Sequence, residues 1–243
     1  MNYMKTSLRI AILLVTMILA SCESPDGPNL FDGKSLKGWE GPDSIFRVED
    51  GCIVGGSMDK PLDHSYYLCT EKKYDNFVLT FKAKFKNNGK YENAGVSFRA
   101  ERVPNSTQVA GYQADMGHIE PDIIPIFSDF SPSDMNSPYP LWGILVDEFR
   151  SNTSRYPNND FAPVVFLVMP DKTLIESIII KDNWNEFQVI ANGPEIEILV
   201  NGVSTAKYLE KEKWIPATGH ICLQAHSGGP YEILYKDIRL RKL

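Results

Sequence analysis

Four short segments of this chain carry polar residues two apart, set between apolar neighbours. Ser97 and Arg99 alternate with Val96 and Phe98, and Gln113 and Asp115 alternate with Tyr112, Ala114 and Met116. Glu148 and Arg150 follow Ile144-Leu145-Val146, and Gln224 and His226 alternate with Leu223 and Ala225. Successive side chains of a strand point to opposite faces, so each pair shares one face. If the four strands belong to one sheet, the pairs line up as a row of amides, carboxylates, guanidinium groups and an imidazole. Such a row can meet several sugar hydroxyls at once, with Trp142, Tyr112 and Tyr139 nearby in sequence to supply apolar surfaces.

Within this set His226, Glu148 and Asp115 are the candidates for proton transfer, the histidine because its ordinary pKa lies near neutrality. Arg99, Gln113, Trp142, Arg150 and Gln224 are the candidates for holding substrate. Asp147 faces away from Glu148 in a regular strand and would join them only through a bulge. A divalent metal held by His226, Asp115 or Glu148 is compatible with these residues, but no ligand spacing requires a cofactor. The competing reading is a solvated face of an ordinary antiparallel sheet.

The elements that must position these residues are strands. Phe77-Val78-Leu79-Thr80-Phe81-Lys82-Ala83-Lys84-Phe85 places Phe, Leu, Phe, Ala and Phe on one face. Glu195 to Val200 alternates similarly and runs into Asn201-Gly202, the sequence of a type I′ hairpin. Further strands are expected at 45–48, 52–55, 65–69, 94–100, 111–116, 143–149, 164–168, 174–180, 185–191, 219–225 and 231–240. No long helical periodicity is present. Many short strands punctuated by Gly, Asn and Pro predict an all-β fold, a sandwich or jelly roll of antiparallel sheets. A polar, proline-rich interruption from Gly117 to Pro140 reads as a functional or decorative loop.

The N-terminus sets the compartment. Lys5 and Arg9 precede an apolar run from Ile10 to Leu19, which closes on Leu19-Ala20-Ser21-Cys22. Residues 1–21 therefore read as a signal peptide and Cys22 as a lipidation site of the bacterial lipobox type. Residues 22–29 read as a flexible tether and 30–243 as one domain. The chain is expected in the bacterial cell envelope, touching membrane through its anchor only. A formal net charge of −6 and the lack of a basic stripe argue against nucleic acid as a partner. Cys52, Cys69 and Cys222 remain after processing, and one disulfide or three buried thiols both fit.

Several segments together resemble the 3-keto-disaccharide hydrolase domain family. They are Leu30-Phe31-Asp32-Gly33-Lys34-Ser35-Leu36-Lys37-Gly38-Trp39, Phe46 to Gly51, Asn93 to Arg99, Gly111 to Gly117, Leu141 to Glu148, His220 to Pro230 and Tyr235 to Leu240. The chain departs from the family at Val146 and Ser151, where Tyr and a second Arg are common. The resemblance implies a concanavalin A-like sandwich and an oligosaccharide or glycoside substrate oxidised at carbon 3. A ketone there acidifies the carbon 2 proton, so a base can remove it and the resulting enediolate can expel the group at carbon 1, with water adding afterwards. Two alternatives stand beside this reading. A classical retaining glycosidase needs two carboxylates ~5 Å apart, and the only short acidic repeat of that kind is Glu195-x-Glu197. A glycan-binding lipoprotein would need no proton-transfer group.

Overall fold

A computed structural model describes residues 27–87, 92–119, 139–149 and 164–243. Cys22, the signal peptide, Arg150, Ser151 and most of the predicted 117–140 loop lie outside the described residues. The described strands are β1 (Trp39–Glu40), β2 (Phe46–Glu49), β3 (Cys52–Ser57), β4 (Tyr66–Thr70), β5 (Phe77–Asn87), β6 (Asn93–Arg102) and β7 (Val109–Ile119). They continue with β8 (Tyr139–Pro140), β9 (Leu145–Glu148), β10 (Val165–Val168), β11 (Asn185–Asn192), β12 (Glu195–Val200), β13 (Val203–Leu209), β14 (His220–Ala225) and β15 (Tyr231–Lys242). One sheet runs β1-β4-β14-β6-β7-β9-β10 with β8 on β7, and the other runs β13-β12-β11-β5-β15-β3-β2. The strand pairs are antiparallel, and the two sheets form the predicted jelly-roll sandwich.

Hydrophobic alternation decides which face of each strand is inside. On β5, Phe77, Leu79, Phe81, Ala83 and Phe85 are all buried, as the period of two predicts. Phe81 stacks on Phe187 of β11 at 5.0 Å, and Phe98 of β6 stacks on Tyr112 of β7 at 5.4 Å. Each buried aromatic contributes about 1.5–3 kcal/mol of transfer free energy. Tyr235 ties the layers together. Its hydroxyl donates to the Gln224 carbonyl of the opposite sheet at 2.7 Å. The Asn201-Gly202 turn forms as predicted, with both residues at positive φ.

One expectation is corrected. The predicted strand at 174–180 is largely an α-helix, α1 (Lys172–Ile178), capped by the Asp171 carboxylate accepting from the Leu174 N–H at 3.1 Å. Leu174, Ile175, Ile178 and Ile179 repeat at helical as well as strand spacing, and the cap decides between the two. From Pro28 the chain already pairs with β15, through Leu240 N–H to the Pro28 carbonyl and the Asn29–Arg239 bridge.

Candidate functional site

The outward face of the larger sheet carries a transverse row of paired residues. Cys69 of β4 faces Cys222 of β14, Cys222 faces Ser97 of β6, Ser97 faces Gln113 of β7, and Gln113 faces Val146 of β9. Next to it lie Tyr67 opposite Gln224 and Gly95 opposite Asp115. Paired residues share a face, so the strand order supplies the convergence that sequence alternation leaves open.

Gln113 is the hub. Its Oε1 accepts from the Ser97 hydroxyl at 2.6 Å. Its Nε2 donates to Asp115 at 2.7 Å and to Glu148 at 3.0 Å, with the Gln224 Oε1 at 3.4 Å. Gln224 in turn donates to the Tyr67 hydroxyl at 2.7 Å. Gly95 makes room for this arrangement, because a Cβ there would stand 2.4 Å from the Gln113 Cδ. All six polar side chains are buried, Gln113 and Gln224 to 1% exposure. Burial of this kind is tolerated because each group has a partner.

The electrostatics set this face apart from an ordinary sheet surface. Burial pushes the Asp115 carboxyl up to about 7, with the Gln113 hydrogen bond opposing the rise. Burial also pushes Glu148 up to about 8, reinforced by the neighbouring Asp115 and Asp147 charges. Two like-charged carboxylates around one amide cannot both ionise cheaply, so near neutral pH the pair holds a proton. Burial raises the Tyr67 hydroxyl far above its ordinary range, and Glu148 and Asp115 add to the effect.

His226 follows Gln224 by two residues, on the loop after β14. Its Nδ1 lies 2.9 Å from the Ser227 carbonyl, which can only accept, so Nδ1 carries the proton and Nε2 is the basic nitrogen. Burial lowers its pKa, which keeps the ring neutral at neutral pH.

Three candidates fall elsewhere. Arg99 does not join the row, because β6 is bulged between Phe98 and Glu101 and Arg99 takes φ 48°. The bulge turns its guanidinium away to donate to the Asp75 and Gly193 carbonyls at 2.9 and 2.7 Å and to Asn76 at 3.1 Å. Trp142 points into the core, edge-on to Phe85 and stacked on Phe187. Its turn is hydrogen-bonded to β7 through Gly143 N–H to the Asp115 carbonyl and Asp115 N–H to the Ile144 carbonyl, which sends the indole inward. Asp147 pairs with Tyr112 on the inward face, since β9 is regular there and no bulge rescues it.

Tyr67 is the member that sequence reasoning missed. Its signal was the two-residue spacing to Cys69, which matters only once β4 is known to lie beside β14. Cys69 and Cys222 form a disulfide and Cys52 is a buried thiol. Among the described residues no group of three or more His, Cys, Asp or Glu is arranged to hold a metal ion. The Leu30–Trp39 signature serves structure. Asp32 accepts from the Lys34 and Ser35 N–H groups in a tight turn, and the Trp39 indole donates to the Leu30 carbonyl.

Solved structures share this fold at low identity. The "putative glycosyl hydrolase" of Parabacteroides distasonis ATCC 8503 is 19% identical with a TM-score of 0.54, covering 88% of this chain and 92% of its own. The carbohydrate binding module CBM66 from Bacillus subtilis is 8% identical with a TM-score of 0.55, covering 84% and 96%. The Emp47p carbohydrate recognition domain is 14% identical with a TM-score of 0.53, covering 92% and 98%. A search of curated proteins found no match. A sandwich with a buried carboxylate pair on its outward face thus coincides with a family model matching residues 28–241, and the chain belongs to the 3-keto-alpha-glucoside-1,2-lyase-like domain family.

Proposed function

We propose that this protein cleaves the glycosidic bond of 3-keto-glucosides by removing the carbon 2 proton and eliminating the group at carbon 1. The observation that carries the reading is the Asp115–Glu148 pair, buried on a shared Gln113 amide with carboxyls raised to about 7 and 8. Elimination needs one base and one acid at the same pH. Asp115, the more acidic partner, is the base for the carbon 2 proton. Glu148, the more readily protonated, gives its proton to the departing oxygen. The pair then returns to its starting state by passing the proton taken from carbon 2 across to Glu148. Neutral His226 with Nε2 basic is the alternative base. Gln113, Gln224 and Tyr67 offer N–H and O–H groups to the enediolate oxygens when substrate displaces their internal contacts.

The test is to incubate the protein with a 3-keto-glucoside and with its unoxidised parent in D2O, with and without chelator, following products by NMR. The expected result is cleavage of the keto form alone, with deuterium appearing at carbon 2 of recovered substrate or of the product formed when water adds across the new double bond. Equal cleavage of the parent sugar overturns elimination in favour of hydrolysis. The closure of the polar network, with Gln113 and Gln224 almost fully buried, favours a second reading, glycan capture without turnover. Binding of both sugars with no cleavage of either would establish it.

A further inference from the structure

We propose that the Cys69–Cys222 disulfide is a positioning element of the polar site, holding β4 and β14 in the register at which Tyr67 meets Gln224. The role in turnover rests on the reading of the site given above; the role in geometry does not.

The disulfide stands in the transverse row itself. Cys69, Cys222, Ser97 and Gln113 are successive cross-strand partners on the outward face. Tyr67 is two residues before Cys69 and Gln224 two residues after Cys222, so both lie on the same face, one step along the strands. Fixing the cysteines opposite each other therefore fixes the tyrosine opposite the glutamine. A slip of one residue would turn Gln224 into the core and bring Leu223 outward.

Register needs such a fixture here because the neighbouring pairings are irregular. The β14–β6 ladder shifts between His220 and Cys222, and the β6–β7 ladder shifts between Phe98 and Glu101. Both irregularities surround Arg99 and Ala100, beside the disulfide. From the inner side Arg99 clamps the bulge to Asp75, Asn76 and Gly193. From the outer side the Cys69–Cys222 bond does the same for β14, within a small apolar cluster with Tyr67, Ala100 and Val109. The cluster and the polar network meet at Tyr67, whose ring packs in the first and whose hydroxyl accepts from the second.

The consequence passes along the hydrogen bonds. Gln224 Oε1 shares the Gln113 Nε2 with Asp115 and Glu148. If Gln224 leaves its place, the Gln113 donors serve the carboxylates alone and favour their ionised forms. Loss of the bond should then lower turnover and move the pH–rate profile to lower pH. A destabilised but otherwise intact site would lose folded fraction without that displacement. The device suits an oxidising compartment, such as the exported location expected from the N-terminal residues.

The experiment uses the full chain in three forms: oxidised, refolded from denaturant in dithiothreitol, and as Cys69→Ala/Cys222→Ala. Refolding is needed because both sulfurs are buried. The dithiol supplies two electrons and two protons, opening the protein disulfide to two thiols and closing to its own cyclic disulfide. Kinetics are measured well below the melting point of the weakest form, so that all three are folded, and the Gln113 and Gln224 side-chain amides are followed by 15N NMR. The expected result is at least a 10-fold fall in kcat with a smaller change in KM, an acid-shifted profile, displaced amide resonances, and recovery on reoxidation. Unchanged amides and unchanged kcat in the folded, reduced protein would overturn the proposal. If the oxidised protein fails to cleave the keto sugar, the functional reading fails, and the amide resonances alone decide the positioning role.

Discussion

The outward faces of the two sheets are written in the same sequence language and end in opposite environments. On the smaller sheet Lys82, Lys84 and Lys86 alternate along β5 just as Gln113 and Asp115 do along β7. The lysines remain in water. Lys82 pairs with Asp237 at 3.0 Å with both side chains more than a third exposed, and Lys86 reaches Glu232 at 3.0 Å. Lys236 lies over the Trp184 ring at 4.1 Å. On the larger sheet Ser97, Gln113, Asp115, Glu148 and Gln224 are 0–7% exposed and bonded to one another. Polar alternation thus marks an outward face and does not say whether water or protein receives it. Charge is held cheaply on one face and at a cost on the other, and the costly face is where proton chemistry becomes available near neutral pH.

The largest effect expected from breaking this difference is chemical. Glu148→Gln keeps the shape of the protonated side chain and removes the proton it would donate. Turnover of a 3-keto-glucoside should fall by ~10²–10⁴-fold, whereas the melting temperature near neutral pH should hold, because the protonated Glu148 that is replaced is already uncharged there. Steady-state kinetics beside a thermal melt would check both. Wild-type turnover in this variant would remove Glu148 from the machinery.

Next comes the pH dependence of stability. Asp115 and Glu148 bind protons more tightly in the folded chain than in the unfolded one, where carboxyls titrate near 4. The stability they contribute is complete below that unfolded value and is lost as pH rises through about 7 and 8. The melting temperature should therefore fall between pH 5 and pH 8.5, by on the order of 5 °C for a domain of this size. Glu148→Gln should flatten that slope. A slope unaltered by the substitution would place its origin in other groups.

These contrasts explain which parts of the molecule were legible in the sequence. The sandwich was, because burial of Phe77, Leu79, Phe81, Ala83 and Phe85 follows directly from a period of two. So was the shared face of Gln113, Asp115, Glu148 and Gln224, whose strands are regular where they sit. The face of Arg99 was not legible, because the bulge that turns it has no local signature; its cause lies in Asp75, Asn76 and Gly193, which are distant in sequence or on other elements. The direction of Trp142 was not legible either, because the hydrogen bonds of its turn to β7 choose its side of the sheet. Tyr67 and the Cys69–Cys222 pair needed the neighbour relation of β4 and β14, strands separated by some 150 residues of chain. What depends on alternation within one strand could be read; what depends on which strands are neighbours could not.

The smallest effect lies on the solvated face and tests the other half of the comparison. The Lys82–Asp237 contact has good length, but both partners stay largely in water, where attraction is screened and ordering two flexible side chains costs entropy. Lys82→Ala also keeps the backbone pairing of β5 with β11 and β15, since Lys82 contributes only its outward side chain to that face. Its removal should change unfolding free energy by no more than about 0.5 kcal/mol and leave kcat unaltered. Denaturant unfolding at low and at 0.5 M salt would check this, with any residual difference shrinking as salt rises. A loss of 2 kcal/mol or more would mean that this face also carries coupled, partly desolvated charge, and the division between the two sheets would have to be redrawn around Glu232, among the described residues the one buried carboxylate on that side, which Arg47 and Lys86 already hold from two directions.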